Sequence, residues 1–587
     1  MTDQAPPPPR QEDSTDALRR AARLREGGDM AGAAAIYRDL AARHPGEAGL
    51  WAMLGDAERV SGDPVAGATA LAKATALAPD DTEFAIEWGL ALCESGDAEA
   101  ALGALKGRAL DDSPRGLAVL ADTFRQAGHA KDAIAPYKLL LDLEPRNVSA
   151  RISLGVCLQE SGDTAGAIAC YETALALAPE SAEALTNLGL ARSAQGKLAT
   201  AHEVLERAVA IEPDNAETLC ALGAVLQKRG RAVVAADFFE RATTAAPEEA
   251  QAWSNLGNAR QDLLQLDGAL AAHDRAAALA PDDALVHWNR AMSLLLSGDL
   301  AAGFAEYEWR AKTADHAPPT HGSPRWDGKD PKGLRLLLLA EQGFGDAIQF
   351  TRYAPLLRAR GAEVVIQCHP KLLGLFETLD GTPAVIASGD VAPQVDAHLP
   401  LMSLPHLLGT TAETIPADIP YLRAPADAPP PPHKDGRRRI GLCWTGNPDH
   451  PDNRHRSLPF DALAPLLSRT AADWRSLQFG PAAAEVLPHL PEDRDWTACL
   501  EGFGNTAAAL ESCDLVITID TSAAHLAGAL GRPVWLLLKY APDWRWMIGR
   551  DDSPWYPTAR LFRQAAPGDW AGVVAAVETA LANWMEC

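Results

Sequence analysis

A spacing of 34 residues recurs along the N-terminal half of the sequence, and it constrains the fold more than any other feature. A proline, a Leu-Gly pair and two alanines each return at this interval in one register. The positions are Pro145, Pro179, Pro213, Pro247 and Pro281; Leu154-Gly155, Leu188-Gly189, Leu222-Gly223 and Leu256-Gly257; Ala167, Ala201, Ala235 and Ala269; and Ala174, Ala208, Ala242 and Ala276. Agreement of three residue types at one period predicts helical units that stack on their neighbours.

Each unit is predicted to be a pair of antiparallel helices. Glycine in the first helix and alanine in the second are small where two helices cross closely, and Tyr171 and Phe239 are expected to fill gaps between neighbouring units. The proline closes each unit because it prevents the second helix from continuing. Weaker copies extend upstream, with a slip in length around Ser113-Pro114. We place about nine units in residues 14–312, after a short disordered lead in residues 1–13.

The pattern resembles the tetratricopeptide repeat. The resemblance implies a right-handed superhelix that binds a protein partner on a concave face lined by the first helices. Asn187, Asn255 and Asn289 occupy the sixth position of their units. Such a row resembles the asparagine ladder of the animal O-linked N-acetylglucosamine transferases and would hold an extended acceptor peptide by its backbone amides. The alternative is that asparagine is simply tolerated on an exposed helix face.

Bulk composition limits the partners and the compartment. The 587 residues predict two to four domains, and 47% hydrophobic residues indicate a folded protein. A net charge of −25 argues against nucleic acid. The nine cysteines form no Cys-x-x-Cys pair, which fits reduced thiols in the cytoplasm. No apolar run approaches the roughly 18 residues of a membrane-spanning helix, and the N-terminus is not signal-like.

The helical period stops after Arg310, and strand and helix patterns then alternate. This alternation predicts parallel sheets wrapped by helices. A Pro/Gly-rich linker (313–333) precedes an N-terminal lobe on the acceptor side (334–424), and a Pro-rich linker (425–437) precedes a C-terminal lobe on the donor-nucleotide side (438–587). We expect a cleft at the carboxyl ends of the two sheets, where three strand-to-helix turns carry polar residues.

The first turn, AEQGFGDAIQF at residues 340–350, combines glycines with one carboxylate. Gly343 and Gly345 are expected to let the backbone turn tightly off the strand. Two interpretations of Asp346 stay open. It caps the following helix, which is a common role for aspartate, or it is a general base that takes the proton of an acceptor hydroxyl during sugar transfer with inversion.

The second turn, TGNPDHPDNRHRSLP at residues 445–459, is basic in an acidic protein. Gly446 and Asn447 form the turn itself, and Arg454 and Arg456 follow at the base of the next helix. In the absence of a metal, a diphosphate leaving group needs such cations. The alternative is a solvated basic loop.

The third turn, ITIDTSAAH at residues 517–525, leads from a buried strand into a helix. A helix that begins at Thr521 presents unpaired backbone N–H groups beside the hydroxyls of Thr521 and Ser522, which together predict an anion site. The alternative is ordinary capping by Asp520, with His525 facing the sheet. A metal role is improbable because no further ligands accompany His525 at a useful spacing.

Together the three turns resemble the glycosyltransferase family that contains the bacterial heptosyltransferases, over about residues 332–587. The resemblance implies a fold of the GT-B type, with two Rossmann-like lobes after the repeat superhelix. It also implies an inverting glycosyl transfer with a nucleotide-sugar as substrate, no metal and no other cofactor. The stretch GFGDAIQF resembles the family's Gly-Asp turn, so the role of base carries to Asp346.

The same resemblance assigns donor-binding residues. The stretch IDTSAAHLAGALGRPVWLLL resembles the donor-phosphate turn, which carries that role to Asp520, Thr521 and His525. Ser522 stands where the family usually has glycine, and this narrows the approach of a phosphate. The stretch NRHRSLP resembles the region of a donor-phosphate lysine, for which Arg456 is the nearest match.

The whole chain resembles the flagellin glycosyltransferases of stalked alphaproteobacteria, which join the same two modules in this order. That resemblance implies a cytoplasmic protein O-glycosyltransferase acting on Ser or Thr of flagellin. The implied donor is a nonulosonic (pseudaminic-type) sugar activated as a CMP derivative, and a secretion chaperone is a possible further partner. Two alternatives remain. One is an enzyme acting on a lipopolysaccharide or lipid-linked glycan, and the other is a non-catalytic scaffold.

Overall fold

The computed structural model describes residues 13–106, 110, 113–381, 384–428, 437–450, 452–469, 472–486, 488–490, 496 and 500–586. The chain divides into two compact units, Met1–Ala245 and Ala246–Cys587. Most of the predicted lead and residues 429–436 of the predicted Pro-rich linker lie outside the described residues. Among the residues that are described, no helix combines the length and apolar character needed to cross a membrane.

The first unit consists of helices that alternate with tight turns. They are α1 (Ser14–Glu26), α2 (Met30–Arg43), α3 (Ala48–Val60), α4 (Pro64–Leu77), α5 (Thr82–Glu94), α6 (Ala98–Leu105), α7 (Pro114–Gln126), α8 (Ala130–Leu143), α9 (Val148–Glu160), α10 (Thr164–Leu177), α11 (Ala182–Ala194), α12 (Leu198–Ile211), α13 (Ala216–Lys228) and α14 (Ala232–Ala245). The 34-residue period therefore produces the predicted helical pairs.

The slip in the period has a local cause. A glycine in the left-handed region closes the first helix of each pair, and Gly96 and Gly128 are 32 residues apart where Gly62 and Gly96 are 34 apart. The second helix of that unit, α6, has 8 residues, whereas α4 and α8 have 14 each. The slip therefore lies between the start of α6 and the start of α7.

The small residues of the repeat allow close helix packing. A Cβ atom on Gly155 would lie 2.5 Å from Cε1 of Tyr171, and one on Gly223 would lie 2.7 Å from Cε1 of Phe239. Tyr171 also shares a buried cluster with Leu188 of the next unit. Both aromatic rings thus pack within their own unit, and Tyr171 also fills the predicted gap between neighbouring units.

The second unit begins with the last two helical pairs. These are α15 (Ala250–Asp262), α16 (Leu266–Leu279), α17 (Ala284–Ser297) and α18 (Leu300–Tyr307), and a 3₁₀ turn follows at Glu308–Lys312. Phe304 and Tyr307 share one buried apolar cluster with strand residues such as Leu336. The structure therefore divides the chain at residue 245, whereas the sequence pattern placed the boundary at residue 312.

Two parallel sheets follow. The first has the strand order β3-β2-β1-β4 and the second has the order β6-β5-β7-β8-β9. The strands are β1 (Arg335–Leu339), β2 (Glu363–Cys368), β3 (Ala384–Ala387), β4 (Ala397–Pro400), β5 (Arg439–Cys443), β6 (Asp473–Ser476), β7 (Leu515–Ile519), β8 (Val534–Leu538) and β9 (Ala559–Arg563). The predicted change from helical repeats to parallel sheets is confirmed.

Helices flank both sheets. They are α19 (Phe344–Phe350), α20 (Ala354–Ala359), α21 (Leu373–Phe376), α22 (Leu404–Leu407), α23 (Asn453–Arg456), α24 (Phe460–Arg469), α25 (Gly502–Glu511), α26 (Ser522–Ala529) and α27 (Trp570–Glu586). Part of the predicted linker 313–333 also packs on a sheet. Trp326 is buried, and its backbone N–H donates to the carbonyl of His398 in β4 over 2.9 Å.

The strand orders determine where each sheet can bind a ligand. In parallel sheets of this kind, crevices form at the carboxyl ends of the strands where the connections reverse direction. The first sheet reverses between β1 and β4, and the second reverses between β5 and β7. Asp346 follows β1, Gly446 follows β5 and Asp520 follows β7, so all three predicted turns lie at these positions.

Candidate functional site

A polar cavity of about 130 Å³ lies at the carboxyl edge of the second sheet. Asp520 follows β7, Lys539 follows β8 and Arg456 ends α23. The polar residues that line the cavity are His450, Asp452, Arg456, Asp520, Lys539 and Asp543. The second and third predicted turns therefore meet at one cavity.

The turn after β7 leaves backbone donors available. Helix α26 begins at Ser522, and Thr521 is its N-cap residue without a side-chain capping bond. The first N–H groups of a helix have no partner within it. The Thr521 hydroxyl lies 3.3 Å from the hydroxyl of Thr518 in β7. The alternative that Asp520 caps this helix is wrong, because Asp520 precedes the cap and lines the cavity instead.

Two of the three carboxylates that line the cavity differ in their ionisation. Burial, reinforced by the charge of Asp543, raises the pKa of Asp520 to about 6. Burial also opposes ionisation of Asp543, but the charge and hydrogen bonds of Arg545 outweigh it and lower the pKa of Asp543. Asp543 is therefore ionised at neutral pH, whereas Asp520 changes its charge near pH 6.

His525 lies behind the cavity wall and does not line it. Its Nδ1 is 2.9 Å from the hydroxyl of Tyr556, and its ring stacks on Trp546 at 5.3 Å. Burial and then the charge of Arg545 lower the pKa of His525 to about 3. The imidazole is neutral and 3.9 Å from Asp520, too far for a hydrogen bond. In this structure His525 packs the helix rather than facing a ligand.

The basic turn divides into two parts. A Cβ atom on Gly446 would lie 2.7 Å from Nη2 of Arg456, so glycine is needed for the guanidinium to pack over the backbone. The side chain of Asn447 accepts a hydrogen bond from the N–H of Asp449 over 3.1 Å and holds the turn. Arg456 lines the cavity, but Arg454 is exposed and is not among the lining residues. The solvated-loop alternative thus fits Arg454 alone.

Lys539 is a cavity residue that the sequence analysis did not select. Its Nζ lies 2.5 Å from Oδ2 of Asp452, which places a paired cation at the mouth of the cavity. The sequence signal was a lysine directly after the buried strand VWLLL, at the same sheet edge as Asp520. The sequence also did not predict His450, Asp452 and Asp543 as lining residues. They lie in loops, and only the folded chain brings these loops together.

The turn after β1 differs from its prediction in detail. Helix α19 begins at Phe344, so Asp346 is its third residue and not its N-cap. The carboxylate still accepts a hydrogen bond from the N–H of Gly343 over 2.8 Å, and its other oxygen pairs with Arg545. Asp346 does not line the cavity. Its charge is linked to the cavity through Arg545, which also binds Asp543.

The glycines of this turn are needed for close packing of helices rather than for an unusual backbone conformation. The residue with positive φ is Gln342, at 57°, whereas Gly343 has a φ of −84° that any residue adopts. A Cβ atom on Gly345 would lie 2.7 Å from Cδ2 of His525. Gly345 therefore lets α19, after the first sheet, approach α26, after the second.

The three asparagines of the predicted ladder do not share one environment. Asn187 lies on α11 in the first unit, and Asn255 and Asn289 lie on α15 and α17 in the second. The Asn289 side chain donates to the hydroxyl of Ser254 over 3.0 Å, and Asn255 accepts from Gln251 over 2.9 Å. All three are half-buried. Two of them thus already make hydrogen bonds within the array.

Comparison with known proteins supports the repeat assignment. Residues 16–46, 148–214 and 192–259 match tetratricopeptide-repeat families. The prediction of tetratricopeptide repeats in the N-terminal region is therefore confirmed. Repeats of this kind generally bind protein partners.

The curated protein FlbA of Caulobacter vibrioides is 27% identical to this chain over 340 residues. The match covers 51% of this chain and 55% of FlbA. The chain thus spans about half the length of this relative, which is a distant homologue.

Parts of the chain are similar to several solved structures. A chain of the APC/C hetero-tetramer Cut9-Hcn1 is 19% identical, with 45% of this chain and 52% of that chain covered and a TM-score of 0.35. MamA is 26% identical, and the match covers 28% of this chain and 95% of MamA, with a TM-score of 0.25. A thermophilic TPR protein of Thermus thermophilus, TTC0263, is 22% identical. The match covers 31% of this chain and 100% of TTC0263, with a TM-score of 0.29.

Proposed function

We propose that this protein is an inverting, metal-independent glycosyltransferase that moves a sugar from a sugar nucleotide to a protein acceptor bound by the repeats. The observation that carries the proposal is the cavity at the carboxyl edge of the second sheet. It is lined by two cations, Arg456 and Lys539, and by Asp520, the residue before the N-cap of α26. Cations and helix N-termini are the groups that bind phosphoryl oxygens.

The charges of the cavity suit a phosphorylated leaving group. As the bond between sugar and phosphate breaks, negative charge grows on the phosphate oxygens, and fixed cations stabilise that charge. Arg456 and Lys539 are the fixed cations in this cavity, so the proposed reaction needs no bound metal. The carboxylates of Asp520 and Asp543 are hydrogen-bond acceptors for sugar hydroxyls or for an amino group of the base.

Asp346 is the proposed base for the acceptor hydroxyl. An ionised carboxylate has about four lone-pair sites, and Gly343 and Arg545 occupy two of those of Asp346. The side chain is 19% exposed, so a hydroxyl can still reach it. Proton removal by a positioned carboxylate contributes a rate factor of about 10² to 10⁴.

The acceptor is proposed to be a protein because helical repeats occupy so much of the chain. The resemblance described above favours flagellin as the acceptor and a CMP-activated nonulosonic sugar as the donor. A glycolipid or lipopolysaccharide acceptor and a non-catalytic scaffold are the alternatives. Nucleotide binding separates an enzyme from a scaffold, and mass spectrometry of flagellin from cells with and without this protein separates the two acceptor classes.

Replacing Lys539 with alanine is expected to weaken nucleotide binding. Loss of a charged hydrogen bond costs about 1.5–3 kcal/mol, which corresponds to a Kd roughly 10- to 100-fold higher. Titration calorimetry with CMP, UDP and ADP measures this, and CMP is expected to bind most tightly. The control is Lys329→Ala, because Lys329 pairs with Asp327 at 2.6 Å on the surface and is 85% exposed. Equal affinities in Lys539→Ala and wild type would remove the cavity as the nucleotide site.

Nucleotide affinity is expected to fall as the pH rises through about 6. Below this value Asp520 is protonated and neutral, and above it the carboxylate repels the phosphate, because burial and Asp543 raise the pKa of Asp520 to about 6. The phosphate also titrates in this range, and burial lowers the pKa of His450, another lining residue, so the comparison is with Asp520→Asn over pH 5 to 8. The variant should lose the part of the pH dependence that Asp520 contributes. Parallel curves for the two proteins would contradict the assignment.

A further inference from the structure

The short segment from Asp543 to Trp546 joins several parts of the second unit. The side chain of Asp543 accepts a hydrogen bond from the N–H of Arg545 over 3.0 Å and caps a 3₁₀ turn, Trp544–Trp546. Met547 then follows with a φ of 47°. Of this segment, only Asp543 has a role in the proposed reaction.

Arg545 makes its hydrogen bonds to both sides of the boundary between the two sheets. Its Nη1 donates to Oδ1 of Asp543 over 2.9 Å, on the wall of the cavity. Its Nε donates to Oε1 of Gln349 over 2.8 Å, and its Nη2 donates to Oδ1 of Asp346. Two of the three acceptors are therefore on α19, which follows the first sheet.

The guanidinium is well suited to hold two carboxylates at a fixed separation. It is planar, with donors in a rigid fork, and it remains charged at all relevant pH values. The Arg545 side chain is only 9% exposed, so water screens its ion pairs weakly. Asp346 is bound on its other oxygen by the N–H of Gly343. Its carboxylate is consequently fixed from two directions.

The neighbouring tryptophans fix the turn that carries Arg545. The ring of Trp544 packs edge-on against Phe304 of α18, with centroids 5.6 Å apart, and Trp546 stacks on His525. Both segments that Arg545 connects also contain a strained residue. Gln342 and Met547 are two of the three non-glycine residues with positive φ in the described part of the chain. Such strain persists where the surrounding structure holds the backbone and is frequent at functional sites.

We propose that Arg545 is a positioning residue that fixes the Asp346 carboxylate relative to Asp543 on the cavity wall, an inference that rests on the proposed transferase function. Arg545 acts through Asp346 and Asp543 and does not itself line the cavity. The two ion pairs of Arg545 fix the position of Asp346 relative to Asp543. A hydroxyl bound at Asp346 then faces a sugar bound beside Asp543. Misplacement by about 1 Å is enough to lower a rate about 100-fold.

The test compares Arg545→Lys and Arg545→Met in the full chain, with CMP as the nucleotide probe and glycosylation of the acceptor as the rate. We expect kcat to fall about 100-fold in Arg545→Met and less in Arg545→Lys, while the Kd for CMP changes less than about threefold. The matched control is Arg475→Lys. Arg475 is 8% exposed, pairs with Asp473 at 2.8 Å on the edge strand β6 and does not line the cavity.

A second measurement does not depend on activity. The N–H of Gly343 is held by the Asp346 carboxylate, so its hydrogen exchange reports whether that carboxylate stays in place. We expect faster exchange at Gly343 in both Arg545 variants and no change in Arg475→Lys. A structural role alone would lower the melting temperature of Arg545→Lys and Arg475→Lys similarly and leave kcat per folded molecule unchanged.

Each outcome decides the inference. A lower kcat with faster exchange at Gly343 supports it, and an unchanged kcat or unchanged exchange overturns it. A CMP affinity reduced more than tenfold with normal kcat would also overturn it, because Arg545 would then serve the nucleotide. A wild-type chain that neither binds nucleotide nor transfers sugar overturns the proposed function, and exchange at Gly343 then still decides whether Arg545 positions Asp346.

Discussion

Asp346→Asn is expected to transfer sugar about 1000-fold more slowly than the wild type, within the range that loss of a general base produces. Asparagine has the same shape as aspartate, and its side-chain oxygen can still accept the hydrogen bond from the N–H of Gly343 that starts α19. It cannot take a proton from a hydroxyl. Nucleotide affinity, measured by calorimetry, should stay within about threefold of the wild type because Asp346 does not line the cavity.

The control for this variant is the same substitution at an aspartate that binds a backbone N–H at the start of another helix. Asp299 caps α18 by accepting a hydrogen bond from the N–H of Ala302 over 3.1 Å. Asp299→Asn tests whether a weakened cap by itself impairs transfer, and we expect near wild-type rates. Acceptor modified at the wild-type rate by Asp346→Asn would show that Asp346 is only a capping residue.

Truncation before residue 246 is expected to remove acceptor binding and to leave nucleotide binding by the sheet region intact. A chain of residues 246–587 should bind nucleotide as the full chain does but modify the acceptor less than about one hundredth as fast. A tethered second binding site can raise overall avidity by about 10²- to 10⁴-fold, and removal of the first unit forfeits that gain.

A cut at residue 312 should instead prevent folding. It removes Phe304 and Tyr307 from the apolar cluster of the first sheet. It also removes Arg310, whose side chain is 1% exposed and makes two hydrogen bonds with Glu341, at 2.9 and 3.1 Å. A buried carboxylate left without its partner costs about 3–5 kcal/mol, which is a large share of the stability of a domain.

The two truncated chains are compared by thermal unfolding, calorimetry and acceptor glycosylation. The longer chain, 246–587, should unfold cooperatively, and the shorter chain, 313–587, should be aggregated or lack a cooperative transition. Full-rate modification by residues 246–587 would mean that the first unit does not deliver the acceptor. Cooperative unfolding of residues 313–587 would mean that the last helices are dispensable for the sheet region.

The organisation of the chain was predictable because its signals are local. The 34-residue period records the distance between identical packing environments, such as that of Gly155 against Tyr171, and it needs no knowledge of the rest of the fold. The alternation of buried strands with helices likewise predicts parallel sheets. The ends of strands can be found from the sequence, so Asp346 and Asp520, which follow strands, were predicted as site residues.

The sequence by itself therefore determined the repeats, the sheets and the turns that end their strands. The tertiary structure decided which turns meet. It brought Lys539 and Asp543 to the same cavity as Asp520, excluded Arg454, and placed His525 behind the cavity wall. It also joined the last repeats to the first sheet through Arg310 and Glu341. Helical periods and strand runs depend on neighbours in sequence, whereas contacts such as that of Arg545 with Asp346, 199 residues apart, depend on packing that no local pattern records.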